Sequence, residues 1–125
     1  MKKKVLLVDD SNTVLLMEKM ILQKGHYEIV TARDGVEGVA KAKSEQPDVI
    51  LLDVMMPNLD GLSACAAIRA DSETAHIPIV MVTTRGEEEN IETAFRNGAN
   101  DYVTKPINGL ELLSKLQNIL GGVAA

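Results

Sequence analysis

Apolar runs of strand length recur five times along the chain, at Val5–Val8, Tyr27–Ala32, Val49–Leu52, Ile79–Val82 and Asp101–Thr104. Segments with helical spacing lie between and after them. A first helix starts near Ser11, a good N-cap, carries Val14, Met17 and Ile21 on one face and stops at Gly25. A second runs from about Gly35 to Glu45, capped by Asp34 and stopped before Pro47. A third, near Gly61 to Ala70, carries Leu62, Cys65, Ile68 and Arg69. A fourth holds Ile91, Ala94 and Phe95 and ends at Asn97-Gly98, and a fifth carries Leu110, Leu113, Leu116 and Leu120. Strands without polar alternation need cover on both faces. The expectation is therefore an α/β fold, a doubly wound parallel five-stranded sheet flanked by helices.

At 125 residues this is one domain, 1–125. The tail Gly121–Ala125 reads equally as a true C-terminus or as the first residues of a linker. A net charge of −5 argues against direct nucleic-acid binding, which wants a basic face. Tyr27, Phe95 and Tyr102 are too few aromatics for a base-stacking platform. Cys65 is alone, so no internal disulfide forms, and a small buried hydrophobe is the plain reading of it. Scattered Met17, Met20 and Met81 read as core filler. Lys2–Lys4 resemble the start of a signal peptide, but the following apolar run is short and ends in two Asp. "VILLDVMMP" is broken by Asp53 and cannot span a bilayer. A cytoplasmic protein with no membrane insertion is expected.

In open parallel sheets, ligands bind beyond the carboxyl ends of the strands, where the strand order reverses. The first run ends in Asp9-Asp10, the third in Asp53, the fourth in Thr83 and the fifth in Lys105. Each alone has an ordinary explanation: Asp10 or Ser11 as a helix start, Asp53 as a loop cap, Thr83 as strand-end chemistry, Lys105 as a solvated lysine. Together they put three carboxylates, a hydroxyl and an ammonium on one rim. Clustered carboxylates suit a hard divalent cation, and Mg²⁺ fits best because it keeps waters that a phosphate can displace. With the cation there, Asp53 stays ionised and can attack phosphorus. Lys105 and Thr83 would hold the oxygens of the transferred group.

The stretches "VLLVDDS", "PDVILLDVMMPNLDG", "IVMVTT" and "GANDYVTKP" resemble, in order and spacing, the receiver domain of bacterial two-component response regulators, of the CheY-like single-domain type. The likeness runs from about Lys4 to Leu120. It implies a (βα)5 fold with strand order 2-1-3-4-5, the flavodoxin-like order known for CheY itself rather than read from these residues. It implies Asp53 as phosphoacceptor, Asp10 as direct Mg²⁺ ligand, Asp9 as an acid acting largely through water, and the Met55 backbone carbonyl as a further ligand. Thr83 and Tyr102 match the switch pair, Lys105 the phosphoryl-binding lysine, and Pro106 a cis peptide. Pro57, Asp60 and Gly61 match the turn that starts the third helix. Thr84 departs from the pattern, standing where a smaller Ala is common.

The resemblance implies a phosphorylation-activated switch and no small-molecule enzyme. It would accept a phosphoryl group from a histidine kinase or histidine phosphotransfer protein and catalyse only its own phosphorylation and slow dephosphorylation. It would signal to an unidentified protein target through the fourth helix, fifth strand and fifth helix. Met55 and Arg85, two residues after Asp53 and Thr83, are placed to shield the phosphate and lengthen its life. Two alternatives stand beside this reading: a receiver fragment of a larger regulator, and a Mg²⁺-dependent phosphatase of the haloacid dehalogenase type. The phosphatase wants a second acid two residues after the first, and Met55 and Ser11 stand at those positions. A flavodoxin-like cofactor binder would need a Ser/Thr/Gly-rich loop where "DDSNTV" stands, and no P-loop motif exists.

Overall fold

The computed structural model describes residues 2–84 and 87–121, apart from the side chain of Glu88. The elements are β1 (Lys4–Val8), α1 (Asn12–Gln23), β2 (Glu28–Ala32), α2 (Gly35–Glu45), β3 (Val49–Asp53), α3 (Gly61–Ala70), β4 (Ile79–Thr84), α4 (Glu88–Arg96), β5 (Asp101–Lys105) and α5 (Gly109–Ile119). The strands form one parallel sheet in the order β2-β1-β3-β4-β5. Strand order reverses between β1 and β3, where Leu7 pairs with Leu51 and Val8 with Leu52.

The strands take their places by what each side chain can bury. Every residue of β3, VILLD, is buried, as a central strand requires. On β2 only Ala32 is buried and Glu28 is exposed, which suits a sheet edge. Along each strand the side chains alternate between two layers. Leu6, Ile50, Leu52, Ile79 and Met81 pack toward Ala42 of α2, Cys65 and Ile68 of α3 and Ala94 of α4. Val5, Leu7, Leu51, Val82 and Val103 pack toward Leu15 and Leu22 of α1 and Leu112 and Leu116 of α5.

Helix starts follow local chemistry. Ser11, Asp34, Asp60 and Asn108 each accept a hydrogen bond from the backbone N–H three residues on, at 3.3, 2.8, 2.8 and 3.0 Å. Each such cap contributes about 1 kcal/mol. α2 stops at Gln46, which takes a left-handed φ of 46° directly before Pro47.

The structure corrects several sequence expectations. α1 ends at Gln23, and His26, not Gly25, adopts the left-handed conformation, with φ 61°. The buried stripe of α1 is Leu15, Glu18 and Leu22, one residue on from the expected Val14, Met17 and Ile21. Met17 and Met20 are 39% and 59% exposed and are not core filler, unlike buried Met81. On α5 Leu116 is buried and Leu113 and Leu120 pack against the core as expected, but Leu110 is 82% exposed and Leu112 is buried in its place. Both helices carry more apolar residues than their inner face uses, so spacing alone did not fix which of them are covered. No helix among the described residues is long and apolar enough to cross a membrane.

Candidate functional site

The alternation that sorts the core also aims the strand-end polar residues. Asp9, Asp53 and Lys105 follow Leu7, Leu51 and Val103 in the rows that face α1 and α5. Thr83 follows Met81 in the row facing α3 and α4, the layer in which Tyr102 also packs. In the β4–β5 register Met81 pairs with Tyr102 and Thr83 with Thr104, so Thr83 and Tyr102 are diagonal neighbours on one face.

Asp9, Asp53 and Thr83 are buried and Asp10 is exposed. One carboxylate oxygen from each of Asp9, Asp10 and Asp53 lies within 4.8 Å of the others. The Lys105 ammonium stands 3.4 Å from Asp9 Oδ2 and 3.3 Å from Asp53 Oδ1. The Ser11 backbone N–H donates to Asp9 Oδ1 at 2.9 Å, and the Arg33 guanidinium donates to the Asp10 backbone carbonyl at 3.3 Å. Asp9 Oδ2 has only its ion pair with Lys105, and Thr83 Oγ1 has no hydrogen-bond partner among the described residues.

The electrostatics follow from this crowding. Burial, reinforced by the Asp9 charge and opposed by Lys105, pushes the Asp53 carboxyl up to about 6. Burial works to lower the Lys105 ammonium, but Asp53 and Asp9 outweigh it and hold the lysine above its ordinary value. A buried, like-charged set of oxygen donors is what a hard cation relieves. The donor set therefore fits Mg²⁺, with Asp9, Asp10 and Asp53 as the side chains to hold it.

β3 meets α3 through Gly61, whose N–H donates to the Val54 carbonyl at 2.8 Å. A Cβ at this position would fall on the Asp53 carbonyl oxygen, so only glycine lets the start of α3 close against the acidic strand end. Met55, in that loop, is 64% exposed at the rim. The Lys105–Pro106 peptide is cis. Thr84, at the end of β4, is exposed and outside the buried cluster. The Tyr102 ring meets Phe95 edge-on at 6.2 Å between centroids, and the Lys115 ammonium lies 4.8 Å from its centre. Arg85, expected to shield the phosphate, lies outside the described residues.

Sequence reasoning missed Glu18. It is 1% exposed, lies between Leu15 and Leu22 on the inner face of α1, and its Oε1 has no hydrogen-bond partner among the described residues. Burial first, then the Asp9 charge, pushes its carboxyl up to about 8, against the pull of Lys105. The available signal was its place in the Leu15–Glu18–Leu22 spacing of i, i+3, i+7.

Known proteins agree with this geometry. PilH of Pseudomonas aeruginosa is 39% identical over 95% of this chain and 98% of its own length. Several other relatives are longer, and the chain covers 26% to 50% of those. The chemotaxis protein CheY4 of Vibrio cholerae has a TM-score of 0.88 at 39% identity, over 95% of this chain and 99% of its own. The receiver domain of the sensor histidine kinase PA1611 of P. aeruginosa has a TM-score of 0.90 at 31% identity, over 98% of this chain and 100% of its own. That structure holds a magnesium ion in its active-site cleft. Nothing among these matches supports the phosphatase alternative. The response regulator receiver domain family matches residues 5–117, and with the strand order and the acidic rim already described, the chain belongs to that family of two-component signalling switches.

Proposed function

We propose that the chain accepts a phosphoryl group on Asp53 from phosphohistidine of a histidine kinase or phosphotransfer protein, and passes the signal to a protein target in the cytoplasm. The observation that carries this is Lys105 held within 3.4 Å of both Asp9 and Asp53 in the buried acidic cluster. An Asp53 carboxylate oxygen attacks phosphorus, the phosphorus–nitrogen bond breaks, and its electron pair leaves with the imidazole. Lys105 meets the negative charge of the transferred oxygens. Mg²⁺ bound by Asp9, Asp10, Asp53 and the Met55 carbonyl would supply charge neutralisation for the transfer. With Mg²⁺ and acetyl phosphate, intact-mass spectrometry should show one added phosphoryl group, and excess EDTA should prevent it. Equal labelling with and without EDTA refutes the cation's part in the reading.

Thr83 is the first element of the response. Its buried hydroxyl has no hydrogen-bond partner among the described residues, and a phosphoryl oxygen on Asp53 would offer one. Its movement would open space for the half-buried Tyr102 ring and bias a two-state equilibrium on the surface of α4, β5 and α5. Reversing a 1:99 equilibrium needs about 5.5 kcal/mol of differential stabilisation. One charge-assisted hydrogen bond supplies roughly 1.5–3 kcal/mol. Thr83 therefore acts together with Lys105 and the cation. Thr83→Ala should still be labelled yet show weaker NMR shifts across α4–β5–α5 on phosphorylation. Shifts equal to wild type would remove Thr83 from the pathway.

The lifetime of the phosphorylated state depends on water reaching Asp53. Met55 brings apolar bulk to the rim and no group to orient a nucleophile. It favours a long-lived phosphoprotein. Met55→Asn supplies a group that can position water and should speed loss of the label in Mg²⁺ buffer. Unchanged decay counts against shielding by Met55.

A further inference from the structure

Five polar side chains are buried among the described residues: Asp9, Glu18, Asp53, Thr74 and Thr83. Thr74 donates to the Ile68 carbonyl at 2.7 Å and needs no other role. Asp9, Asp53 and Thr83 belong to the phosphoacceptor site. Glu18 remains unused. A leucine there would complete the stripe of Leu15 and Leu22, whereas a carboxyl with an unpartnered oxygen in that layer costs stability.

Lys105 gives the glutamate a use. Its ammonium bridges Asp9 Oδ2 and Asp53 Oδ1, which belong to two of the three residues whose oxygens converge for a cation. A divalent cation on those carboxylates would repel the ammonium and compete with it for them. Its side chain is 27% exposed, so part of its surroundings is protein. The rows carrying Asp9, Asp53 and Lys105 face the layer into which Glu18 is buried, and Asp9, Lys105 and Asp53 are the charges that act on the Glu18 carboxyl.

We propose that Glu18 is a positioning residue for Lys105: its Oε1 receives the ammonium when a divalent cation occupies the Asp9–Asp10–Asp53 carboxylates, so the lysine stays within the site to meet the incoming phosphoryl group. The inference rests on the reading of those three carboxylates as the cation site. The role needs only an acceptor oxygen, which a carboxyl and a carboxamide both provide. Without that acceptor, Lys105 stays on Asp9 and Asp53 and competes with the cation.

The test is Mg²⁺ affinity near neutral pH, measured by NMR titration, so no phosphorylation is required. Glu18→Met should weaken Mg²⁺ binding about fivefold, the equivalent of one ordinary hydrogen bond. Glu18→Gln, which keeps the acceptor, should stay within about twofold of wild type. In a Lys105→Met background, Glu18→Met should change nothing further. Should Glu18→Met not fold, Glu18→Leu continues the leucine stripe and carries the same comparison. Equal affinities throughout, equal losses in the Gln and Met variants, or a loss that persists without Lys105 each overturn the inference while leaving the cation site intact. Failure of wild type to bind Mg²⁺ overturns the cation site and the inference together.

Discussion

Asp53→Asn is expected to take up no phosphoryl group from acetyl phosphate, where wild type takes up one. The amide that replaces the carboxylate has no lone pair basic enough to attack phosphorus. The loss should be total within detection, because no other carboxylate among the described residues matches the placement of Asp53: Asp9 sits deeper, with one oxygen already bonded to the Ser11 N–H, and Asp10 is exposed. Unfolding does not explain the expected loss. Asp53 is pushed up to about 6 by burial and by Asp9, so removing its charge relieves repulsion, and the variant should unfold no more easily than wild type above that pH. Intact-mass spectrometry beside thermal unfolding separates the two effects. Undiminished labelling of a folded Asp53→Asn would falsify the assignment.

The second large effect is on stability. The Glu18 carboxyl titrates near 4.5 in the unfolded chain and is pushed up to about 8 by burial and Asp9 in the folded one. The folded state holds this proton more tightly than the unfolded state does. The associated stability is present in full below the unfolded value and drains away as pH rises to the folded one. Each pH unit separating the two values is worth about 1.4 kcal/mol, so the loss is of the order of 3–5 kcal/mol. Asp53 acts with the same sign over a lower window, from 3.8 to about 6. Urea unfolding in EDTA should therefore show wild type losing stability from about pH 5 to pH 8, and Glu18→Gln losing little above the Asp53 window. Parallel pH profiles for the two proteins would show that Glu18 is not the titrating group.

Much of this fold was legible in the residues. Apolar runs too short for a membrane and too unbroken for a one-sided sheet imply buried parallel strands. Ser11, Asp34 and Asn97-Gly98 mark helix ends, and Gly98 does take a positive φ of 104°. The site was legible because Asp9, Asp10, Asp53, Thr83 and Lys105 each end an apolar run, and parallel strands bring like ends to one edge. Strand order was not legible from periodicity, which says how each strand is covered and nothing of its neighbour. It came from resemblance, and the β1–β3 pairing agrees with it.

What the sequence by itself determined is therefore the layer structure, the rim on which the polar residues collect, and the class of chemistry they can support. Those follow from local rules: periods of 2 and 3.6, caps, and the meaning of a carboxylate after a buried strand. Only the tertiary structure decided the phase of α1, and that Leu112 and not Leu110 is covered on α5. Each helix carries more apolar residues than one face holds, and the choice depends on which of them the sheet and the facing helix can cover. That choice left Met17, Met20 and Leu110 in solvent and turned Glu18 inward. A hydrophobic pattern assigns an acid to the surface by default. Here packing of Leu15 and Leu22 outweighed the desolvation of one carboxyl, and that balance is settled across contacts far apart in the chain.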